Sequence, residues 1–124
     1  MTVPLFLAIL RTCFGILNFS AMAKGGSTYI MTNKNRTVLY IGVTSDLISR
    51  VLEHKSGSGS KFTKKYNCID LVYYESFTFI EEAISKEKQL KNWHKDWKWN
   101  LIKEFNPALD DLSESIGIDL KHDL

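Results

Sequence analysis

Two short runs, residues 27–32 (STYIMT) and 37–42 (TVLYIG), are rich in Tyr, Ile, Val and Thr and are separated only by Asn33, Lys34, Asn35 and Arg36. So short a gap reads as the turn of a β-hairpin, and a hairpin commits the sheet to antiparallel pairing. Thr44 or Ser45 can cap a helix that begins at Asp46 and stops at Gly57. Residues 56–65, SGSGSKFTKK, read as a Gly/Ser loop turning basic, and residues 69–75 (IDLVYYE) as a third strand. Thr78 and Glu81 have capping-box spacing and open a helix over 79–92. A last helix over 94–105 ends before Asn106-Pro107. The order β-β-α-β-α-α predicts the α+β class: a small three-stranded antiparallel sheet flanked by helices, without internal repeats.

Composition bounds the rest. The 124 residues are 44% hydrophobic with 7 Gly and 2 Pro, which fits one domain with a real core and excludes a fibrous or mostly disordered chain. Cys13 and Cys68 form no Cys-x-x-Cys pair, so they build neither a zinc site nor a disulfide framework, and a reducing, cytoplasmic setting is the simplest expectation. The net charge of +2 conceals an asymmetry: residues 1–106 carry 15 bases against 9 acids, whereas residues 107–124 carry one base against five acids. A basic body with an acidic tail suggests a polyanionic partner. The apolar run over 1–23 is broken by Arg11, which counts against a membrane span; it lacks the basic start of a signal peptide, and translation from Met22 is the favoured reading. The expected division is therefore an apolar extension over 1–23, a domain over 24–107 and a loosely attached acidic tail over 108–124.

Helical phase singles out residues with chemistry. On the helix from Phe79, Ile80, Ala83, Ile84 and Leu90 make an apolar stripe with Glu87 at its centre. A carboxylate there implies a metal ion, a cation partner or a functional cleft; the plainer alternative is pairing with a surface lysine at the stripe's open end. On the preceding helix Leu47, Ile48, Val51 and Leu52 form the apolar face, and Asp46, Arg50 and His54 line one edge of it. That edge would project Arg50, suited to phosphate, and His54, suited to proton transfer, into the groove beside the sheet, unless the row is simply a solvated rim. Tyr29 and Tyr40 fall on the two hairpin strands, where most tyrosines are packing residues. Together the five make a phosphodiester-cleaving inventory.

Ser27-Thr28-Tyr29, Tyr40-Ile41-Gly42, Arg50 and His54 on the next helix, Glu87 within EAISKEKQLKNW, and Asn106-Pro107 resemble the GIY-YIG nuclease domain. The match runs from about residue 27 to 107 and is similar to small stand-alone bacterial members and to the nuclease domain of the excision-repair incision subunit. The resemblance implies that Tyr29 and Tyr40 are the motif tyrosines, Arg50 the motif arginine and Glu87 the single metal-binding carboxylate. It further implies that His54 matches a histidine of many members and Asn106 the late asparagine. Two positions depart from the pattern: Ser-Thr-Tyr stands for Gly-Ile-Tyr, and Val43 stands where the excision-repair nucleases carry Lys.

The expected function is that of a metal-dependent endonuclease acting on DNA, branched or single-stranded, in repair or recombination, with Mg²⁺ (or Mn²⁺) on Glu87 and water. Arg50 would grip a phosphate oxygen and one tyrosine or His54 would take the proton. Lys55, Lys61, Lys64 and Lys65, with Asn106, would hold the nucleic acid. Trp93, Trp97, Leu101 and Phe105 read as core, and Trp99 as the tryptophan to watch for base stacking. No obligate protein partner is evident, and membrane association is not expected. The rival function is a nucleic-acid-binding module that keeps the fold without catalysis.

Overall fold

The computed structural model describes residues 25–118; the readings on the apolar extension and on residues 119–124 lie outside them. Strands β1 (Gly26–Thr32), β2 (Leu39–Thr44) and β3 (Asp70–Phe77) form one antiparallel sheet in the order β2-β1-β3. Helices α1 (Leu47–Ser56) and α2 (Lys61–Tyr66) separate β2 from β3, and α3 (Ile80–Lys91) and α4 (Lys95–Phe105) follow it. Every residue of β1 is buried, as a central strand covered on both faces must be.

The β1 alternation sorts the core. Tyr29 and Met31 face one side with Val51 of α1, Cys68, Leu71 and Ile118. Ile30 faces the other, with Ile41, Val72, Leu90 of α3 and Ile102 of α4. Thr28 ties α3 to this second face by donating its hydroxyl to Ala83 O at 2.7 Å. Opposite Tyr29 on β2 stands Gly42, and on β3 Tyr74.

Local chemistry refines the predicted boundaries. Asp46, rather than Thr44 or Ser45, caps α1: its carboxylate accepts from Ser49 N at 3.2 Å and Ser49 Oγ at 2.8 Å. Gly57 ends the helix at φ 86°, in the left-handed region that glycine tolerates. The expected loop over 56–65 contains a helix instead, because Ser60 and Thr63 form a reciprocal cap that starts α2. For α3 the cap lies one residue later than expected, with Glu82 Oε1 accepting from Phe79 N at 3.0 Å.

The acidic segment after Pro107 is not loosely attached as far as Ile118. Leu112 N donates to Leu71 O at 2.7 Å, the Asp111 carboxylate accepts from Leu71 N at 3.0 Å, and Ile118 enters the core. Arg36 adds a clasp, donating to Leu109 O at 2.8 Å and pairing with Asp70 at 2.7 Å. The tryptophan reading holds for Trp93 and Leu101 and reverses for Trp97, Trp99 and Phe105. Trp99 packs on the second core with Trp93 and Leu101, while Trp97 and Phe105 are exposed, because Ile102 sets the buried line of α4.

Candidate active site

Four of the singled-out residues meet on the first face of the sheet. Tyr29 is fully buried at the centre of β1, and its ring crosses β2 directly over Gly42, where a side chain would collide with it. Tyr40 lies with its ring centroid 6.3 Å from that of Tyr29 and 5.3 Å from that of His54. His54 Nε2 is 2.9 Å from the Tyr29 hydroxyl, and Nδ1 is 3.0 Å from Thr63 Oγ1. In the tautomer whose Nδ1–H donates to Thr63 Oγ1, Nε2 is the acceptor and the Tyr29 hydroxyl the donor. The expected half-reachable histidine is thus corrected. At 1% exposure His54 is part of the core, aligned with Leu47 and Val51 at 4- and 3-residue spacing, while Ile48 and Leu52 point outward. Gly59 passes so close to the imidazole that no side chain fits between them.

Arg50 closes the site from the solvent side. It is 36% exposed, its Nη1 lies 2.8 Å from Glu53 Oε1, and its charge bears on the Tyr29 phenol. Burial, with the Tyr40 phenol alongside, pushes Tyr29 well above the ordinary phenol range, and Arg50 only partly offsets this. Burial also lowers His54 below 6.5, helped by the Arg50 charge and opposed by Glu53, so the imidazole is neutral at pH 7. The guanidinium is therefore an accessible cation near a protonated phenol that is hydrogen-bonded to a neutral imidazole. A shallow cleft of about 260 Å³, lined by Val43, Thr44, Asp46, Ser49, Arg50 and Glu53, lies beside it.

Glu87 approaches from the other side. Ile80, Ala83, Glu87 and Leu90 form the line of α3 that faces the sheet, Ile84 is exposed, and the Glu87 carboxylate, 20% exposed, pairs with Lys91 on its own helix at 2.9 Å. Because α3 covers the second face, Glu87 can approach the Arg50 cleft only around the edge strand β2. Among the described residues no three His, Cys, Asp or Glu side chains cluster as a metal cage. One half-buried carboxylate fits a hard cation that keeps most of its water, such as Mg²⁺, and does not fit zinc.

The candidate nucleic-acid residues separate. Lys61, Lys64 and Lys65 are exposed on α2. Lys55 instead is clamped between Asp111, at 2.7 Å, and Ile69 O, at 2.8 Å. Asn106 is buried after α4, donating to Val72 O and Asp110 O and accepting from Asp110 N. In this structure both hold the C-terminal segment rather than face outward. Thr63 was missed from sequence, although the Ser60-x-x-Thr63 cap was there to be seen.

A three-stranded α+β domain that sets a guanidinium, two phenols and an imidazole on one sheet face defines a class suited to phosphodiester chemistry. The comparisons make this particular: the model of the GIY-YIG catalytic domain matches residues 25–100, and the chain belongs to that family, a nuclease family. A UPF0213 protein of Staphylococcus epidermidis is 36% identical over 66 residues, 53% of this chain and 80% of that one. One of Pediococcus pentosaceus is 36% identical over 84 residues, 68% of this chain and 87% of that one. The solution structure of a UPF0213 protein from Bacillus halodurans covers 73% of this chain and 95% of its own at 27% identity, with a TM-score of 0.47. Among the described residues no helix is long and apolar enough to cross a membrane.

Proposed function

We propose that the protein is a metal-dependent endonuclease that hydrolyses DNA phosphodiester bonds. The observation that carries the reading is the buried Tyr29–His54 hydrogen bond, with the Arg50 charge bearing on the same phenol. Nothing in packing alone calls for a phenol, an imidazole and a guanidinium to converge at one point.

Arg50 moves from Glu53 onto a non-bridging phosphate oxygen, which stabilises the pentavalent transition state and opens a way to the Tyr29 oxygen. Tyr40, half-buried beside it, orients the attacking water. As the water oxygen bonds to phosphorus and the bond from phosphorus to the leaving oxygen breaks, the water's proton passes to Tyr29 Oη while the Tyr29 proton passes to His54 Nε2, and the leaving alkoxide takes a proton from solvent; Thr63 holds the ring in the accepting tautomer. Glu87 would hold the divalent cation, which supplies charge neutralisation at the leaving oxygen.

The test incubates the protein with single-stranded, duplex and branched DNA, with Mg²⁺ or Mn²⁺ and with chelator. Cleavage that needs metal and is lost in Arg50→Ala and Glu87→Gln, but kept in Lys91→Met, is expected. The reading fails if no DNA is cut or if Arg50→Ala and Glu87→Gln cut like the parent. In that case the fold serves as a nucleic-acid-binding module, for which the Lys91 partner of Glu87 is the favouring observation.

A further inference from the structure

The aromatic row on the first face continues past Tyr40. Phe62 of α2 lies 5.9 Å from the Tyr40 ring at 31°, and Tyr66, one turn further along α2, lies 4.8 Å from Phe62 at 48°. Phe62 is 42% and Tyr66 40% exposed, and neither belongs to the two core clusters. Burial in the fold therefore does not account for two large rings placed in line with the reactive phenols. They border a groove of about 410 Å³ whose other walls are Thr37, Val38 and Leu39 and, from α4, Lys95 and Lys98. That volume is within the range of sites for small organic groups.

The groove has one sign of charge. No Asp or Glu lines it, and among the described residues Lys61 and Lys98 have no carboxylate partner. Lys95 is anchored by donating to Thr37 O at 3.1 Å, and Lys65 Nζ stands 5.2 Å from the Tyr66 ring centroid. Exposed aromatic rings beside lysines suit the faces of bases, with phosphates between. Inside a duplex the base faces are occupied by stacking neighbours, and only base edges reach the grooves. An unpaired strand has free faces.

We propose that Phe62 and Tyr66, with Lys95 and Lys98, form a stacking subsite for unpaired nucleotides beside the scissile phosphate, so that the enzyme works on single-stranded or locally opened DNA. This rests on the nuclease reading for the position of the scissile phosphate. The rings accept any base, and the lysines fix the backbone, so the subsite selects strand state rather than sequence.

The experiment measures binding, not cleavage, using the full-length Glu87→Gln protein and fluorescence anisotropy. The probes are a short labelled single strand, the same strand with abasic positions, and its duplex. Phe62→Leu/Tyr66→Leu should weaken the base-carrying strand by about tenfold or more while changing the abasic strand and the duplex far less. Phe62→Trp should restore binding, and Lys98→Ala should lower the salt slope by about one. Thermal melts matching the parent establish that the variants are folded. The proposal is overturned if the double variant binds the single strand like the parent, or loses abasic and base-carrying strands equally. Ring-dependent binding by a protein that never cleaves would remove the nuclease reading and leave the subsite. Cleavage with ring-independent binding would do the reverse.

Discussion

Replacing Gly42 by Ala pits two effects of opposite sign against each other. Removing a glycine from a strand stabilises by about 0.4–1 kcal/mol through the unfolded chain, provided the new methyl fits. Here it does not: a Cβ at Gly42 would stand 2.5 Å from the Tyr29 hydroxyl oxygen and 2.6 Å from Cζ. Ordinary contact lies near 3.5 Å, so the ring must retreat by about 1 Å. Tyr29 is fully buried and its hydroxyl is 2.9 Å from His54 Nε2, so that retreat breaks the bond. Overpacking costs about 1–3 kcal/mol and the buried hydrogen bond about 1 kcal/mol more, so the net loss is about 2–3 kcal/mol. For a body of residues 25–118 this lowers the melting temperature by on the order of 10–20 °C. Urea and thermal melts read the loss, and the His54 imidazole proton signals read the broken bond. In a Tyr29→Phe background the same substitution should cost less, since the nearest atom is gone. A Gly42→Ala protein as stable as the parent, with His54 signals unchanged, would refute the reasoning.

His54 is held below 6.5 in the fold, so the unfolded chain takes up its proton first on acidification. Its contribution is complete above pH 6.5 and is lost as pH falls towards the lowered folded value, by at most about 1.4 kcal/mol per pH unit. Urea melts between pH 7.5 and 5.5 should show this slope in the parent and a flatter one in His54→Gln. The cleavage rate should hold through the upper part of that window and fall only as pH drops through the lowered folded value, because only neutral His54 accepts the proton; a His54→Gln protein that cleaves like the parent would contradict the relay. Asp111 is half-buried, and although burial opposes ionisation, Lys55, Ser113 and Leu71 N–H hold its carboxyl below the usual range. Asp111→Ala should therefore cost about 1–3 kcal/mol in urea melts. Ending the chain after Pro107 removes Ile118, worth about 1.5–3 kcal/mol, and the half-buried Leu112 and Ile116 from the first core, and should abolish a cooperative thermal transition.

The hairpin, the third strand and the long helices were legible because short β-branched runs and 3.6-residue periods state them directly. Polar residues that complete a buried line were harder to read. On α1 the line is Leu47–Val51–His54, and on α3 Ile80–Ala83–Glu87–Leu90. Counting only apolar residues tilts the first line towards Ile48 and Leu52, which puts His54 at an edge when it is inside. Glu87 was noticed because a carboxylate on such a line is costly, whereas a neutral histidine with two partners is not. The helix α2 was hidden by its Gly/Ser-rich approach, and the C-terminal segment by its acids, which mask Leu109, Leu112, Ile116 and Ile118 at core spacing. The resemblance supplied the roles of Tyr29, Tyr40 and Arg50; their convergence needed the register of β1 against β2.

The segment laid along β3 has a further consequence, for how copies of the molecule meet. Leu71 spends its amide on Asp111 and its carbonyl on Leu112, so part of the outer margin of β3 is already satisfied within the chain. A free strand margin invites a strand from another molecule. With β3 closed at Leu71, that stretch of its margin cannot take up a strand from another molecule.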